Sequence, residues 1–95
     1  MIIAIDYDGT YSSDPDCWDK IINLLQSNNH KVYCVTKRYP AYSQDIKDAL
    51  KIPIIYARQS KIVATKNVGI EVDIWIENNP ASILPYNQRK RKYEK

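Results

Sequence analysis

Phenylalanine is absent from this 95-residue chain, and glycine occurs only twice, at Gly9 and Gly69. Eight tyrosines and two tryptophans supply the aromatic bulk. The two cysteines, Cys17 and Cys34, are too few for a disulfide framework, which points to the cytoplasm as the compartment. No apolar run approaches the ~18 to 20 residues that a membrane-spanning helix needs, so a span is excluded and no membrane partner is expected. The apolar start, Met1 to Ile5, stops at Asp6, too short for a signal-peptide core. Charge of one sign is also scarce once it is divided along the chain. Gln88 to Lys95 carries Arg89, Lys90, Arg91, Lys92 and Lys95 against Glu94, a net +4, so the rest of the +3 chain sums to −1. The basic character therefore belongs to a tail, residues 87–95, which is expected to fray. Its run 89–92 could attract nucleic-acid phosphates by counterion release; a merely solubilising tail is the plainer reading. With no Gly/Ser-rich linker and no internal repeat, residues 1–86 read as a single domain.

What is present is a regular alternation. Ile2–Ile5, Val32–Val35, Ile52–Tyr56 and Val72–Ile76 are short, β-branched apolar runs and read as strands. Their near-continuous hydrophobicity suits a parallel sheet buried on both faces. Between them lie segments of helical spacing. Asp16–Ser27 places Trp18, Ile21, Ile22, Leu24 and Leu25 on one stripe behind a Ser13-Asp14-Pro15 start signal. Ser43–Leu50 places Ile46, Ala49 and Leu50 on one side. Ser60–Val68 carries Ile62, Val63 and Val68, with Gly69 as its stop. A further short turn of helix is expected over Ala81–Leu84. The order implies an α/β domain, three-layered and doubly wound, with a parallel sheet of about four strands and right-handed crossovers.

In such a sheet, ligands collect beyond the carboxyl ends of the strands. Those ends carry Asp6-Tyr7-Asp8-Gly9-Thr10, then Thr36-Lys37-Arg38, then Ala57-Arg58-Gln59 with Lys61 opening the next helix, then Glu77-Asn78. Carboxylates, a hydroxyl and a lysine thus converge on one pole, a cradle for a divalent cation and a phosphoryl group. Asp6 has the chemistry of a nucleophile toward phosphorus, and Asp8 that of an acid and then a base. A hard cation such as Mg²⁺, which takes oxygen ligands, would let these like charges coexist. Gly9 allows a sharp turn around a ligand. The bland alternative is that Asp-x-Asp-Gly is simply a good turn.

Ile2-Ile3-Ala4-Ile5-Asp6-Tyr7-Asp8-Gly9-Thr10 resembles the first motif of the haloacid dehalogenase (HAD) superfamily, an apolar strand followed by Asp-x-Asp-Gly-Thr. Val32-Tyr33-Cys34-Val35-Thr36 resembles the second motif, and Lys61 the motif-three lysine, with Lys66 as the alternative. Ile74-Trp75-Ile76-Glu77-Asn78-Asn79-Pro80 is similar to the fourth motif. The resemblance covers residues 1–86 and is closest in style to very short, capless members. Some of those are encoded by bacteriophages, for which the compartment is the host cytoplasm. It implies a Mg²⁺-dependent phosphatase: Asp6 attacks phosphorus, Asp8 protonates the leaving oxygen and then activates water, and Thr36 and Lys61 bind the phosphoryl oxygens. Asp6, the Asp8 carbonyl and the Glu77-Asn78 pair hold the metal.

The fourth motif departs from the usual paired aspartates. Glu77 reaches one methylene further and Asn78 brings no charge. Asp6, Asp8 and Glu77 then just balance Mg²⁺ and Lys61, so weaker metal affinity is expected than in the standard arrangement. Two functions stay open. One is a phosphomonoester hydrolase acting on a phosphorylated small molecule or a nucleic-acid end, with Tyr11, Tyr39 and Tyr42 near the mouth available for stacking. The other is a catalytically weakened binding or regulatory protein, nucleic-acid-associated through the tail. A receiver-type phosphoacceptor would need an aspartate at the end of strand three, and Tyr56-Ala57-Arg58 offers none. Asp73, at the opposite pole, His30, in a polar loop, and Trp18 and Trp75 read as structural.

Overall fold

The structure is a computed structural model and describes residues 1–85 and 88. Its elements are β1 (Ile2–Ile5), α1 (Pro15–Ser27), β2 (Lys31–Thr36), α2 (Gln44–Ala49), β3 (Ile54–Tyr56), α3 (Lys61–Asn67) and β4 (Ile74–Ile76). Single turns of 3-10 helix occupy Tyr11–Ser13, Pro40–Tyr42 and Pro80–Ser82, the last starting one residue before the expected turn. The four strands pair in parallel in the order β3-β2-β1-β4. The chain therefore walks outward from β1 to β3, then crosses back to add β4 on the other side of β1. This is an α/β fold with an all-parallel sheet, compatible with a Rossmann-like arrangement. The tail expected over 87–95 lies outside the described residues, apart from Gln88.

Alternation along the strands sorts side chains into two apolar clusters. Ile5, Val32, Cys34, Ile54 and Ile76 pack with Trp18, Ile22 and Leu25 of α1 and Ile46 of α2. Ala4, Tyr33, Val35, Ile55 and Trp75 pack with Ala57 and with Ala64 of α3. Successive residues on a strand face opposite ways, so this division follows from the sequence once the register is set.

The departures from the sequence reading have local causes. Leu24 does not join the stripe of α1 but is 64% exposed, and Val63 of α3 and Val68, just past its end, are likewise exposed. The stripe is narrower than the count of apolar residues implies, because only the positions in register with Ile22 meet the sheet. β3 starts at Ile54 rather than Ile52, since Pro53 has no N–H to donate, although its carbonyl still accepts from Cys34 N at 2.9 Å. β4 starts at Ile74 rather than Val72. Asp73 instead ties the amino pole: its amide donates to Ile2 O at 2.8 Å and its Oδ2 accepts from Ile2 N at 2.7 Å. His30 Nδ1 meets the Met1 amine at 2.9 Å. α1 begins as its start signal predicts, with Asp14 Oδ1 accepting from Cys17 N at 3.4 Å and Pro15 in the first turn. Trp18 and Trp75 are half-buried packing residues. Among the described residues no helix is long and apolar enough to cross a membrane.

Candidate active site

The register decides where the acids emerge. Ile5 lies beside Ile76, and Asp6 N continues the ladder by donating to Ile76 O at 2.9 Å. Asp6 and Glu77 are therefore next-door residues at the carboxyl ends of two paired strands. By alternation both side chains leave the sheet on the face of Ala4 and Trp75, the face that α3 packs against. Lys61 is the first residue of α3, so its side chain starts close to both carboxylates. Its Nζ donates to Asp6 Oδ1 at 2.7 Å and to Glu77 Oε1 at 2.5 Å. Lys61 is only 3% exposed. A cation at a helix start opposes the helix dipole, and here two carboxylates more than offset that penalty. Lys66, the alternative lysine, lies in the last turn of α3 and is exposed.

A residue that sequence reasoning passed over completes the cluster. Ser82 is buried in the turn after β4, and its hydroxyl donates to Glu77 Oε1 at 2.7 Å. It lies five residues beyond Glu77, and the only sequence signal for it was the Asn79-Pro80 turn that folds the chain back. Burial pushes the Asp6 carboxyl above its ordinary range, against the pull of Lys61 and with Glu77 adding to the rise. Burial also acts to raise Glu77, but the hydrogen bonds from Lys61 and Ser82 outweigh it and hold that carboxyl below the usual value. Of the two, Asp6 takes up a proton first on acidification.

Asp8 faces a different partner. Arg38 grips it with two parallel bonds, Nε to Oδ2 at 2.9 Å and Nη2 to Oδ1 at 2.8 Å. Nη1 donates to Asp45 Oδ1 at 2.9 Å and to Tyr42 O at 3.0 Å, and the guanidinium carbon sits 5.7 Å from the Tyr7 ring centroid. The hydrogen bond to Asp8, ahead of that to Asp45, raises the Arg38 pKa and keeps the guanidinium charged. Asp8 is much the more exposed of the first two aspartates, its side chain 55% open to solvent against 10% for Asp6.

Thr36 ends β2 almost wholly buried, and its Oγ1 accepts from Arg38 N at 3.1 Å. In this arrangement the hydroxyl holds the Arg38 backbone in place, and Thr36 is not among the residues lining the cleft. The cleft, of about 460 Å³, is lined by Asp6, Asp8, Lys61, Glu77 and Asn78, with Lys37, Arg38, Asn79 and Ser82 at its walls. Asn78 lies over Gly9: a Cβ at Gly9, whose φ is +79°, would stand 2.3 Å from Asn78 Nδ2. The glycine thus serves both the positive φ and the close approach. Tyr11 is buried, stacks on Tyr7 and donates to Asp19 Oδ1 at 2.7 Å, which removes it from the mouth. Tyr39 and Tyr42 are exposed, and Arg58 lies over the Tyr39 ring at 5.8 Å. A larger groove of about 710 Å³ lies between β3 and α3, but its lining, including Ile55, Val63, Ala64 and Pro85, carries no carboxylate.

The donors on the cleft are oxygens of Asp6, Asp8, Glu77 and Asn78, the kind that Mg²⁺ takes and that softer metals do not prefer. Among the described residues no group of three His, Cys, Asp or Glu side chains is arranged to hold a metal ion. The reason is visible in the pairing: Asp6 and Glu77 close on an ammonium, and Asp8 turns to a guanidinium. Mg²⁺ is commonly held by one or two carboxylates, with water and substrate phosphate supplying the rest. Asp6 and the Asn78 amide, both on this cleft, meet that modest requirement in kind. No protein-family model, curated protein or solved structure matches this chain.

Proposed function

We propose that this chain is a three-layer, doubly wound domain of HAD type that hydrolyses phosphomonoesters with Mg²⁺, on a phosphorylated small molecule or a nucleic-acid end. The observation that carries the reading is the buried Asp6–Lys61–Glu77 cluster at the carboxyl pole, with Asp8 two residues from Asp6 at the rim of the same cleft. The layered arrangement is supported by the two clusters, one drawing on α1 and α2 and the other on α3.

In this reading an Asp6 oxygen attacks phosphorus, forming an aspartyl-phosphate as the bond to the leaving oxygen breaks. Asp8 gives that oxygen its proton. Water then attacks the same phosphorus, Asp8 takes the water's proton, and Asp6 leaves with its carboxylate restored. Lys61 holds the Asp6 carboxylate in place and offers positive charge to the phosphoryl oxygens; Glu77, fixed by Ser82, fixes Lys61 in turn. Thr36 acts through the backbone it anchors at Arg38. Mg²⁺, when bound by Asp6, the Asp8 carbonyl and Asn78, supplies charge stabilisation. The test is turnover of an aryl phosphate with Mg²⁺: the wild type is active and Asp6→Asn, which keeps the shape but removes the nucleophile, falls by about a thousandfold or more. Equal activity in both proteins refutes the reading.

A second reading is favoured by one specific observation, the engagement of both Asp8 oxygens with Arg38. A protein that keeps the fold and binds a phosphate group without turnover would tolerate this pairing indefinitely. It would bind phosphate with no hydrolysis of any ester.

A further inference from the structure

We propose that Arg38 is the specificity-determining residue of this site: its guanidinium holds Asp8 away from the reacting phosphate until a second phosphate group of the substrate takes Asp8's place. The inference deepens the phosphatase reading, because it rests on Asp8 being the group that serves the leaving oxygen.

Geometry makes the case. Both Asp8 oxygens are engaged by one guanidinium edge, at 2.9 and 2.8 Å. That fork takes one acceptor position on each Asp8 oxygen, and its charge-assisted pair opposes the turn of Asp8 toward a leaving oxygen beside Asp6. Arg38 cannot follow Asp8, because Nη1 is tied to Asp45 and to the Tyr42 carbonyl, and the Arg38 backbone is tied to buried Thr36. What remains when Asp8 departs is a fixed Nε/Nη2 edge on the wall of the same cleft as Asp6 and Lys61. That edge matches a phosphate as well as a carboxylate, since both present two oxygens to a planar pair of donors. Water can satisfy that open edge beside a neutral substrate group, but only a second anion restores the charge-assisted pair that Asp8 gives up. The fitting substrate therefore carries one phosphate for Asp6 and a second, a few bonds away, for Arg38. Lys37, whose Nζ donates to Gln59 O at 2.9 Å, adds positive charge to the cleft wall.

The reading predicts a substrate difference. With Mg²⁺, the wild type hydrolyses a nucleoside 3′,5′-bisphosphate about tenfold or more better, by kcat/KM, than the corresponding nucleoside monophosphates. In Arg38→Gln that ratio falls to about one, because KM for the bisphosphate rises while kcat for the monophosphates rises. Arg38→Lys keeps the charge but has no fork, and its ratio falls as well. A short oligonucleotide with a terminal phosphate separates the two sources of a second phosphate. Preference for it over the free bisphosphate points to a polynucleotide end, and the reverse points to a free nucleotide. A wild-type ratio near one, or an Arg38→Gln variant slower on both substrates by the same factor, overturns the proposal. A second measurement does not depend on turnover. The Arg38 Nε–Hε signal in ¹⁵N NMR, assigned by its loss in Arg38→Lys, moves on titration with inorganic diphosphate and only at much higher concentration with orthophosphate. A signal that responds equally to both, or to neither, refutes Arg38 as the second-phosphate receptor. If the signal moves selectively but no ester is hydrolysed, the phosphatase reading fails while Arg38 stands as the second-phosphate receptor of a binding site.

Discussion

The two poles of the parallel sheet treat charge in opposite ways. At the amino pole, Asp73 accepts from the Ile2 amide and the Met1 amine meets His30, each an exposed tie between neighbouring segments. At the carboxyl pole, Asp6, Lys61 and Glu77 are withdrawn from water and share one ammonium between two carboxylates. An exposed tie needs only a partner. A buried charge cluster carries a desolvation cost that its internal attraction roughly repays at best, so stability alone is a poor reason to build one. Its place beyond the carboxyl ends of the strands, where parallel sheets generally take their ligands, accords with the proposed function. Within the carboxyl pole the contrast repeats on a smaller scale between buried Asp6, held by a lysine, and open Asp8, held by an arginine.

The largest effect expected follows from taking the cation out of the buried cluster. Lys61→Met leaves Asp6 and Glu77 adjacent and unneutralised, and should cost about 3–5 kcal/mol in urea unfolding at pH 7. The loss shrinks as pH falls, because protonation removes the repulsion. A variant as stable as wild type at neutral pH would mean that the two poles do not differ as described.

Next in size is an alkaline effect just beneath the cleft. Burial, and then the Asp6 charge, pushes the Cys34 thiol up from an ordinary 9.0 to about 12. Burial, and then the bond to Asp19, pushes Tyr11 up from 10.0 to about 12. Both groups hold their protons longer folded than unfolded. Their contribution is therefore whole below pH 9 and is lost progressively as pH rises toward 12, which pH-dependent urea unfolding would read as a falling midpoint. Cys34→Ala flattens the first part of that decline.

The two glycines sharpen the comparison further, since both sit at positive φ. Gly9→Ala must also move Asn78, whereas a Cβ at Gly69 meets nothing within 4 Å. Gly69→Ala should cost about 1 kcal/mol from the backbone alone, and Gly9→Ala measurably more, with weakened phosphate binding besides. Equal costs would show that the approach of Asn78 is easily relieved. The smallest effect is expected at the amino pole, where Asp73→Ala removes one exposed hydrogen bond, worth about 1 kcal/mol or less, without touching activity.

Much of the scaffold was legible from local pattern. β1 and β2 announce themselves as apolar runs, and Asp14-Pro15 announces the start of α1. The late starts of β3 and β4 were less legible, because Ile52 and Val72 are as apolar as strand residues but lie beyond the hydrogen-bonded register. At the site, the convergence of Asp6, Lys61 and Glu77 could be anticipated from the parallel alternation of strands and helices. The partnership of Asp8 with Arg38 could not, nor could the role of Ser82. Each depends on how a loop closes, and a carboxylate followed by a turn carries no mark of which cation it will meet.

What the amino-acid sequence determined alone is the set of elements and the pole at which the reactive side chains appear. Periodicity and turn chemistry act over a few residues and need no knowledge of the rest of the chain. Tertiary structure decided the pairings: Lys61 with Asp6 across 55 positions, and Arg38 with Asp8 across 30. Charge attraction does not choose among several cations of like strength in a sequence. Strand register and the entry point of each helix choose, because they set which nitrogen arrives within hydrogen-bond reach of which oxygen.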